Sequence, residues 1–271
     1  MITPKPQNPP ILISSWKSPI AKPNWRAHRP QRKPVTIAVG FLHDGGLLLC
    51  ADTKVSGAIK ENQSKIDVRV SNNGYCRVAF AMSGVDLNFS KSAVDKCWAY
   101  VQEKGIDFAT DPIQKVAQAV EESLADFYTT YIFPHPDRQP NMPYLQLLIG
   151  IWLRDQVRLY VSYETLMRPV EQYECIGSAS YLAKYLIGQY IKANPCRLDF
   201  ADAELMATIA VRSAIEYDEA CGGDAELLTI SNDGTVNGPE PAGNEDFKFV
   251  EGMANLIWRF HRNFIHLGSR S

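Results

Sequence analysis

The most informative part of the chain is residues 36–54, which read TIAVGFLHDGGLLLCADTK. Residues 35–41 are rich in β-branched and aromatic side chains, which favour a strand. Residues 43–46, with one aspartate and two glycines, have the turn chemistry of a hairpin. Residues 47–51 form a continuous apolar run, which is typical of a strand buried on both faces. We therefore predict a hairpin whose buried return strand leads into Asp52.

The pattern on either side of this hairpin separates strands from helices. Strands are predicted at residues 68–70, 75–81, 144–153, 157–164, 169–175 and 226–230, and helices at 87–104, 112–131, 179–193, 203–217 and 247–264. Segregated runs of this kind argue for an α+β protein and not for alternating βαβ units. Two sheets packed face to face, with a helix pair outside each, would bury every apolar face. We predict this four-layer αββα sandwich as a single domain over residues 36–271, ending in a C-terminal helix.

Residues 1–35 differ from the rest of the chain in charge and in proline content. They hold seven basic and no acidic residues, so the remaining 21 basic and 30 acidic residues give the body a charge of about −9. Eight prolines in the same segment remove backbone donors and fix φ, which excludes a helix or a central strand. The segment is interpreted as a flexible basic arm, as an arm that docks on the acidic body, or as a removable propeptide.

Length and composition exclude several classes of protein. A chain of 271 residues that is 45% hydrophobic can bury a sizeable core, and its net charge of −2 argues against general nucleic-acid binding. The longest apolar run, at residues 144–153, is interrupted by Gln146 and is shorter than the roughly 18 residues that span a membrane. The six cysteines form no CxxC pair, and we see no secretory signal. We expect a soluble, cytoplasmic protein with reduced thiols.

Familiar catalytic motifs are missing from the sequence. It contains no GxSxG elbow, P-loop, HExxH or dinucleotide fingerprint, and its five histidines fall in the arm, turns and tail. What remains is a set of polar residues at the ends of predicted strands and turns: Thr36, Asp52, Lys65, Ser178 and Asp218. Taken singly, each has an ordinary structural explanation, as a strand residue, a helix cap or a solvated surface group.

Taken together, the segments that carry these residues resemble the proteasome subunits of the N-terminal-nucleophile (Ntn) hydrolase family. Residues 36–54 resemble the family's opening, in which a threonine-led strand turns at a glycine and returns to an Ala-Asp-Thr-Lys segment. Further similar segments follow in the same order, at residues 56–57, 65–66, 80–84 (FAMSG), 175–180 (CIGSAS) and 202–223 (ending in DEACGG). The resemblance covers roughly residues 36–235.

The resemblance implies a two-sheet sandwich and a threonine peptidase of the β-subunit type. In catalytic members a propeptide is removed, and by match Thr36 would become both the nucleophile and the N-terminus. Its own α-amine would accept the hydroxyl proton. Lys65 would act as a neighbouring cation, and Asp52 would neutralise that buried ammonium.

The remaining site residues are also implied by match. The Gly84 N–H would stabilise the oxyanion, and Ser178, Asp218 and Cys221 would orient the amine. Cys221 stands where the family usually has a serine, and a thiol is the poorer hydrogen-bond donor. The resemblance implies a peptide or protein substrate, a ring-like homo-oligomer, and no metal or cofactor.

Three other functions stay open at this point. Val35 precedes Thr36 where active subunits commonly have glycine, so the chain could be a catalytically silent subunit that keeps its arm. It could also be an Ntn hydrolase of a small amide. Finally, the basic arm could bind an acidic partner or nucleic acid in a salt-sensitive manner, although the acidic body would repel DNA.

Overall fold

The fold is taken from a computed structural model, which describes residues 36–55, 61–84, 86–134, 144–193 and 198–241. The basic arm at residues 1–35 and the predicted helix at 247–264 lie outside the described residues. The strands are β1 (Ile37–His43), β2 (Gly46–Asp52), β3 (Lys54–Val55), β4 (Glu61–Asn62), β5 (Ile66–Val70), β6 (Cys76–Gly84), β7 (Leu145–Leu153), β8 (Gln156–Tyr163), β9 (Leu166–Val170), β10 (Tyr173–Gly177), β11 (Ala225–Ser231) and β12 (Val236–Pro241).

Ten of these strands form two antiparallel sheets of five strands each. The first sheet has the order β10-β1-β2-β11-β12, and the second has the order β5-β6-β7-β8-β9. β3 and β4 pair separately as a short ribbon. The described chain is therefore a mixed α and β structure with segregated antiparallel sheets, as the sequence pattern predicts.

The predicted hairpin of β1 and β2 is confirmed and lies at the centre of the first sheet. β2 is buried along its whole length, as expected of a continuous apolar run that is covered on both faces. Ala38 pairs with Ala51 in the antiparallel register. Thr36 and Asp52, which flank this pair, consequently lie at the same end of the hairpin.

Within the described ranges, four α-helices accompany the sheets: α1 (Leu87–Glu103), α2 (Ile113–Phe127), α3 (Ser180–Ala193) and α4 (Phe200–Tyr217). A π-helical turn at Tyr128–Ile132 extends α2. Aspartate caps fix two of the helix starts, because Asp86 accepts a bond from the Phe89 N–H and Asp199 accepts one from the Asp202 N–H.

The buried apolar residues fall into three clusters. One cluster joins α1 and α2 to the second sheet, and another joins α3 and α4 to the first sheet. The third contains residues from both sheets, among them Leu49 of β2 and Leu148 of β7. Each sheet thus contributes apolar side chains to two of the three clusters, which is why its central strands lack a polar face.

The prediction of one strand at residues 169–175 is wrong, because the structure divides this stretch between two sheets. β9 ends at Val170 on the edge of the second sheet, and β10 begins at Tyr173 on the edge of the first. Residues 171–172 carry the chain from one sheet to the other. Pro169 is compatible with β9, because an edge strand can lack one backbone donor.

Candidate functional site

Thr36 directly precedes β1 and is held through both its backbone and its side chain. Its carbonyl accepts a hydrogen bond from the Ser178 N–H at 3.0 Å. The backbones of Thr36 and Ser178 can come this close only because residue 177 is a glycine. Gly177 has φ +100°, and an added Cβ there would lie 2.1 Å from the Thr36 carbonyl oxygen. Thr36 is only 1% exposed in the chain with Val35 attached.

Asp52 ends β2 and gathers four donors around its carboxylate. Oδ1 accepts bonds from the Thr36 hydroxyl at 2.5 Å, from the Ile37 N–H at 3.0 Å and from the Lys65 ammonium at 2.8 Å. Oδ2 accepts a bond from the Gly222 N–H at 3.0 Å. The carboxylate is fully buried, and these donors satisfy a charge that would otherwise be costly to remove from water.

Lys65 completes a closed triangle of polar groups with Thr36 and Asp52. Its Nζ donates to the Thr36 hydroxyl oxygen at 2.6 Å as well as to Asp52, and the residue is 4% exposed. Burial lowers the pKa of Lys65 below its ordinary value, and the adjacent Asp52 carboxylate only partly opposes that shift. The Thr36 oxygen is therefore placed against a desolvated ammonium, which favours negative charge on that oxygen.

Ser178 and Cys221 lie on the other side of Thr36. The Ser178 hydroxyl is 3.4 Å from the Thr36 carbonyl oxygen and 4.0 Å from the Cys221 sulfur. Burial and the negative charges of Asp52 and Asp218 raise the pKa of Cys221 to about 12. Cys221 is consequently a neutral thiol near pH 7.

Asp218 is joined to this group through a turn, and Gly84 lies on β6, the strand whose Met82 N–H donates to the Lys65 carbonyl at 2.9 Å. Asp218 shapes the turn that carries Cys221, because its carboxylate accepts from the Ala220 N–H and its carbonyl accepts from the Cys221 N–H. Gly84 ends β6, where an added Cβ would lie 2.9 Å from a backbone oxygen. Five predicted residues are thus brought together, namely Thr36, Asp52, Lys65, Ser178 and Cys221, with Asp218 linked through its turn.

One buried residue near the site, Glu226, was missed by the sequence analysis. It is 4% exposed on β11, next to β2, and accepts a bond from the Lys65 backbone N–H at 2.7 Å. The available signal was a single acidic residue at the start of the strand AELLTIS. Glu226 entered the sequence analysis only as the first residue of the strand predicted at 226–230.

The described residues also bear on metals and membranes. Within the ranges that the structure describes, no three histidine, cysteine or acidic side chains are grouped so as to hold a metal ion. No helix in those ranges is both long and apolar enough to cross a membrane.

Comparison with known proteins identifies the fold. No protein-family model and no curated protein matches the chain. Solved structures do match it, and three structures of Anbu proteins illustrate the match. The Anbu complex from Pseudomonas aeruginosa, solved as a helical assembly, has a TM-score of 0.68 at 14% identity, covering 85% of this chain and 96% of its own.

The other two Anbu structures give similar values. A Gly-1 mutant of Anbu from Hyphomicrobium sp. strain MC1 has a TM-score of 0.65 at 15% identity, covering 84% of this chain and 96% of its own. Anbu from Yersinia bercovieri, described as an ancestral beta-subunit, has a TM-score of 0.64 at 13% identity, covering 87% and 97%. At these identities the comparison shows a shared proteasome-like fold and nothing finer.

Proposed function

We propose that the chain is a threonine-type peptidase in which Thr36 becomes the N-terminal nucleophile when residues 1–35 are removed. One observation carries this proposal: the Thr36 hydroxyl lies 2.6 Å from the Lys65 ammonium and 2.5 Å from the Asp52 carboxylate, and all three residues are buried. A hydroxyl in this setting is polarised by a full positive charge that water does not screen.

Maturation would use the same hydroxyl. The Thr36 oxygen attacks the Val35 carbonyl carbon, the peptide C–N bond breaks, and the nitrogen takes the hydroxyl proton. Water then hydrolyses the resulting ester, which releases residues 1–35 as a carboxylic acid and restores the hydroxyl. The product carries a free α-amine, a base whose ordinary pKa is near 8 and which is partly neutral at pH 7.

Peptide hydrolysis follows from the freed amine. The amine takes the Thr36 hydroxyl proton as the oxygen attacks the substrate carbonyl carbon, and the carbonyl oxygen becomes an oxyanion bonded to the Gly84 N–H. Collapse of this intermediate breaks the substrate C–N bond, and the leaving nitrogen takes the proton back. Water hydrolyses the acyl-enzyme in a second round of the same steps.

The surrounding residues would maintain this geometry. Lys65 lowers the cost of negative charge on the nucleophile, and Asp52 keeps the ammonium in place. Ser178, Asp218 and Cys221 would orient the freed amine, and the Cys221 thiol is a weaker hydrogen-bond donor than the Ser178 hydroxyl.

Architecture, assembly and location form a coarser part of the proposal. The three apolar clusters support an αββα order of layers, with one cluster between each neighbouring pair. The helical assembly of the structurally similar Anbu complex supports a homo-oligomer of this chain, ring-like or stacked. The five cysteines in the described ranges are free and buried, which supports a reducing, cytoplasmic location.

The nucleophile is tested with a peptide β-lactone, which acylates a reactive hydroxyl and adds its own mass. We expect one adduct on Thr36 in the wild type, located by tandem mass spectrometry, and none in the Thr36→Ala variant. Thr53→Ala is the matched control, since Thr53 is a second buried threonine at the same sheet end and should leave the adduct intact. An undiminished adduct in Thr36→Ala would reject the nucleophile.

A second candidate function, a silent subunit that keeps its arm, is favoured by a different observation. Thr36 is 1% exposed, and its hydroxyl already has partners on both sides. In such a subunit the triangle of Thr36, Asp52 and Lys65 would only tie the start of β1 to β2 and β5. This candidate predicts full-length protein and no adduct.

A further inference from the structure

Glu226 is a buried carboxylate that the proposed mechanism does not use. It lies on β11, where it pairs with Ala51 of β2, while its neighbour Ala225 pairs with Asp52. The two carboxylates therefore stand on adjacent strands at the same sheet end. Glu226 is 4% exposed, although the rest of its strand is mostly apolar. A second buried acid beside Asp52 has a large desolvation cost, so we expect Glu226 to have a structural or functional role that offsets it.

The carboxylate of Glu226 is bonded to the backbone of one short segment. Oε1 accepts from the Lys65 N–H at 2.7 Å. The same segment is tied together by Ser64, whose hydroxyl donates to the Ile66 carbonyl at 2.8 Å and accepts from the Ile66 N–H at 3.2 Å. Glu226 therefore binds the chain at the point from which the Lys65 side chain extends toward Thr36.

The location of Lys65 explains why this anchor matters. Lys65 precedes β5, and its carbonyl accepts a bond from the Met82 N–H at 2.9 Å. Its own N–H points to the other side, where Glu226 provides the acceptor. The ammonium, by contrast, bonds to Thr36 and Asp52. Glu226 thus fixes the backbone of Lys65 while leaving its charge free to act on the hydroxyl.

We propose that Glu226 is a positioning residue, which holds residues 64–66 on β11 and thereby keeps the Lys65 ammonium against the Thr36 oxygen. The inference rests on the proposed function, because the group that is positioned is part of the proposed peptidase site. Its essential feature is the acceptor oxygen at Oε1, since that atom contacts the Lys65 N–H. A glutamine retains this oxygen, whereas a leucine of similar size does not.

The kinetic test compares Glu226→Gln with Glu226→Leu in the full-length chain. We expect Glu226→Leu to lower kcat for peptide hydrolysis by about tenfold or more with KM nearly unchanged, because small displacements of catalytic groups reduce the rate of chemistry. Glu226→Gln should restore most of kcat. Glu174→Leu, at a buried carboxylate on β10 outside the site, controls for loss of stability and should leave kcat intact. Equal losses in the Gln and Leu variants of Glu226 would overturn the role of the acceptor oxygen.

A second measurement does not depend on turnover. Hydrogen exchange followed by mass spectrometry should show faster exchange at the Lys65 amide in Glu226→Leu, by about tenfold, and near wild-type exchange in Glu226→Gln. Unchanged protection in Glu226→Leu would contradict the positioning role even in an active enzyme. If the wild type hydrolyses no peptide, the proposed function fails, and exchange alone decides whether Glu226 holds this segment.

Discussion

Asp52 and Glu174 are both buried carboxylates, and they lie on the two strands that flank β1. The cations that pair with these two carboxylates differ in their exposure to solvent. Lys65, the partner of Asp52, has a side chain that is 5% exposed, whereas Arg168 and Lys184, the partners of Glu174, are 60% and 43% exposed. Lys65 and Asp52 both bond to the hydroxyl of Thr36, which is buried, whereas the hydroxyl that Arg168 contacts belongs to the exposed Tyr163.

This difference distinguishes a structural clamp from a candidate reactive site. Arg168 and Lys184 contact Glu174 at 2.5 Å each and tie β9 and α3 to β10, with solvent screening their charges. Lys65 is shielded from water, so its field on the Thr36 oxygen is strong. A buried carboxylate alone is therefore a weak sign of function, and a buried cation shared with a hydroxyl is a much stronger one.

The pair of Asp52 with Lys65 and the group of Glu174 with Arg168 and Lys184 should differ most in their effect on activity. Lys65→Met should reduce kcat/KM for a peptide substrate by at least about 100-fold, because it removes the charge beside the nucleophile. Lys184→Met should stay within about twofold of wild type, since its charge acts on a half-exposed pair remote from the hydroxyl. Steady-state kinetics on both variants measure the contrast, and equal losses would erase the distinction.

The two ion-pair groups should also differ in how much they contribute to stability. Lys65→Met leaves the buried Asp52 carboxylate without its cation, which costs about 3–5 kcal/mol of unfolding free energy. Lys184→Met should cost no more than about 1 kcal/mol, because Arg168 remains and the lost pair is solvent-exposed. Urea unfolding at pH 7 gives both values. A loss in Lys65→Met as small as that in Lys184→Met would mean that Asp52 does not need its buried partner.

The pH dependence of stability should have a different sign for each lysine. Burial lowers the pKa of Lys65, so the unfolded chain binds more protons at this position, and its contribution to stability rises as pH increases toward 10.5. Partial burial is the largest single influence on Lys184 and lowers its pKa, but the hydrogen bond to Glu174 and the nearby negative charges together outweigh it. The pKa of Lys184 is therefore raised, and its contribution to stability is lost only above 10.5.

The measurement is urea unfolding of both methionine variants between pH 7 and 10.5. The unfolding free energy of Lys65→Met relative to wild type should fall steadily across this range, and that of Lys184→Met should remain flat. Parallel curves for the two variants would show that burial does not depress the pKa of Lys65.

The smallest effect is expected at the cysteine beside each ion-pair group, Cys221 near Asp52 and Cys175 next to Glu174. Cys221→Ser should leave kcat equal or raise it, because a hydroxyl donates a better hydrogen bond toward Ser178. Cys175→Ser, next to Glu174, should leave kcat unchanged. With its pKa raised to about 12, Cys221 should also resist iodoacetamide at pH 8 in the folded protein. A kcat that drops in Cys221→Ser would mean that the thiol has a role of its own.

Sequence patterns predicted most of the fold because its central strands are continuous apolar runs. They failed at residues 169–175, where one β-rich stretch serves two sheets and only tertiary pairing decides where the chain crosses. β12 was missed because Gly238 and Pro239 interrupt it, and both are depleted in strands.

The candidate site was predictable only in part. Thr36, Asp52 and Lys65 were found through a family resemblance, since spacing alone does not bring residues 36, 52 and 65 together. Glu226 lies within the resembling region but in none of the similar segments that were quoted for it. Its partner is the backbone N–H of Lys65, which is distant in the sequence, and a single sequence carries no signal for such a contact.

Intact-mass spectrometry of the protein purified from expression of the full-length chain decides whether Thr36 acts with a free α-amine. We expect a species that begins at Thr36 and ends at Ser271, absent from the Thr36→Ala variant and present in Lys184→Met. If the wild type retains its full mass under conditions where it hydrolyses peptides, the proposed nucleophile and mechanism are contradicted.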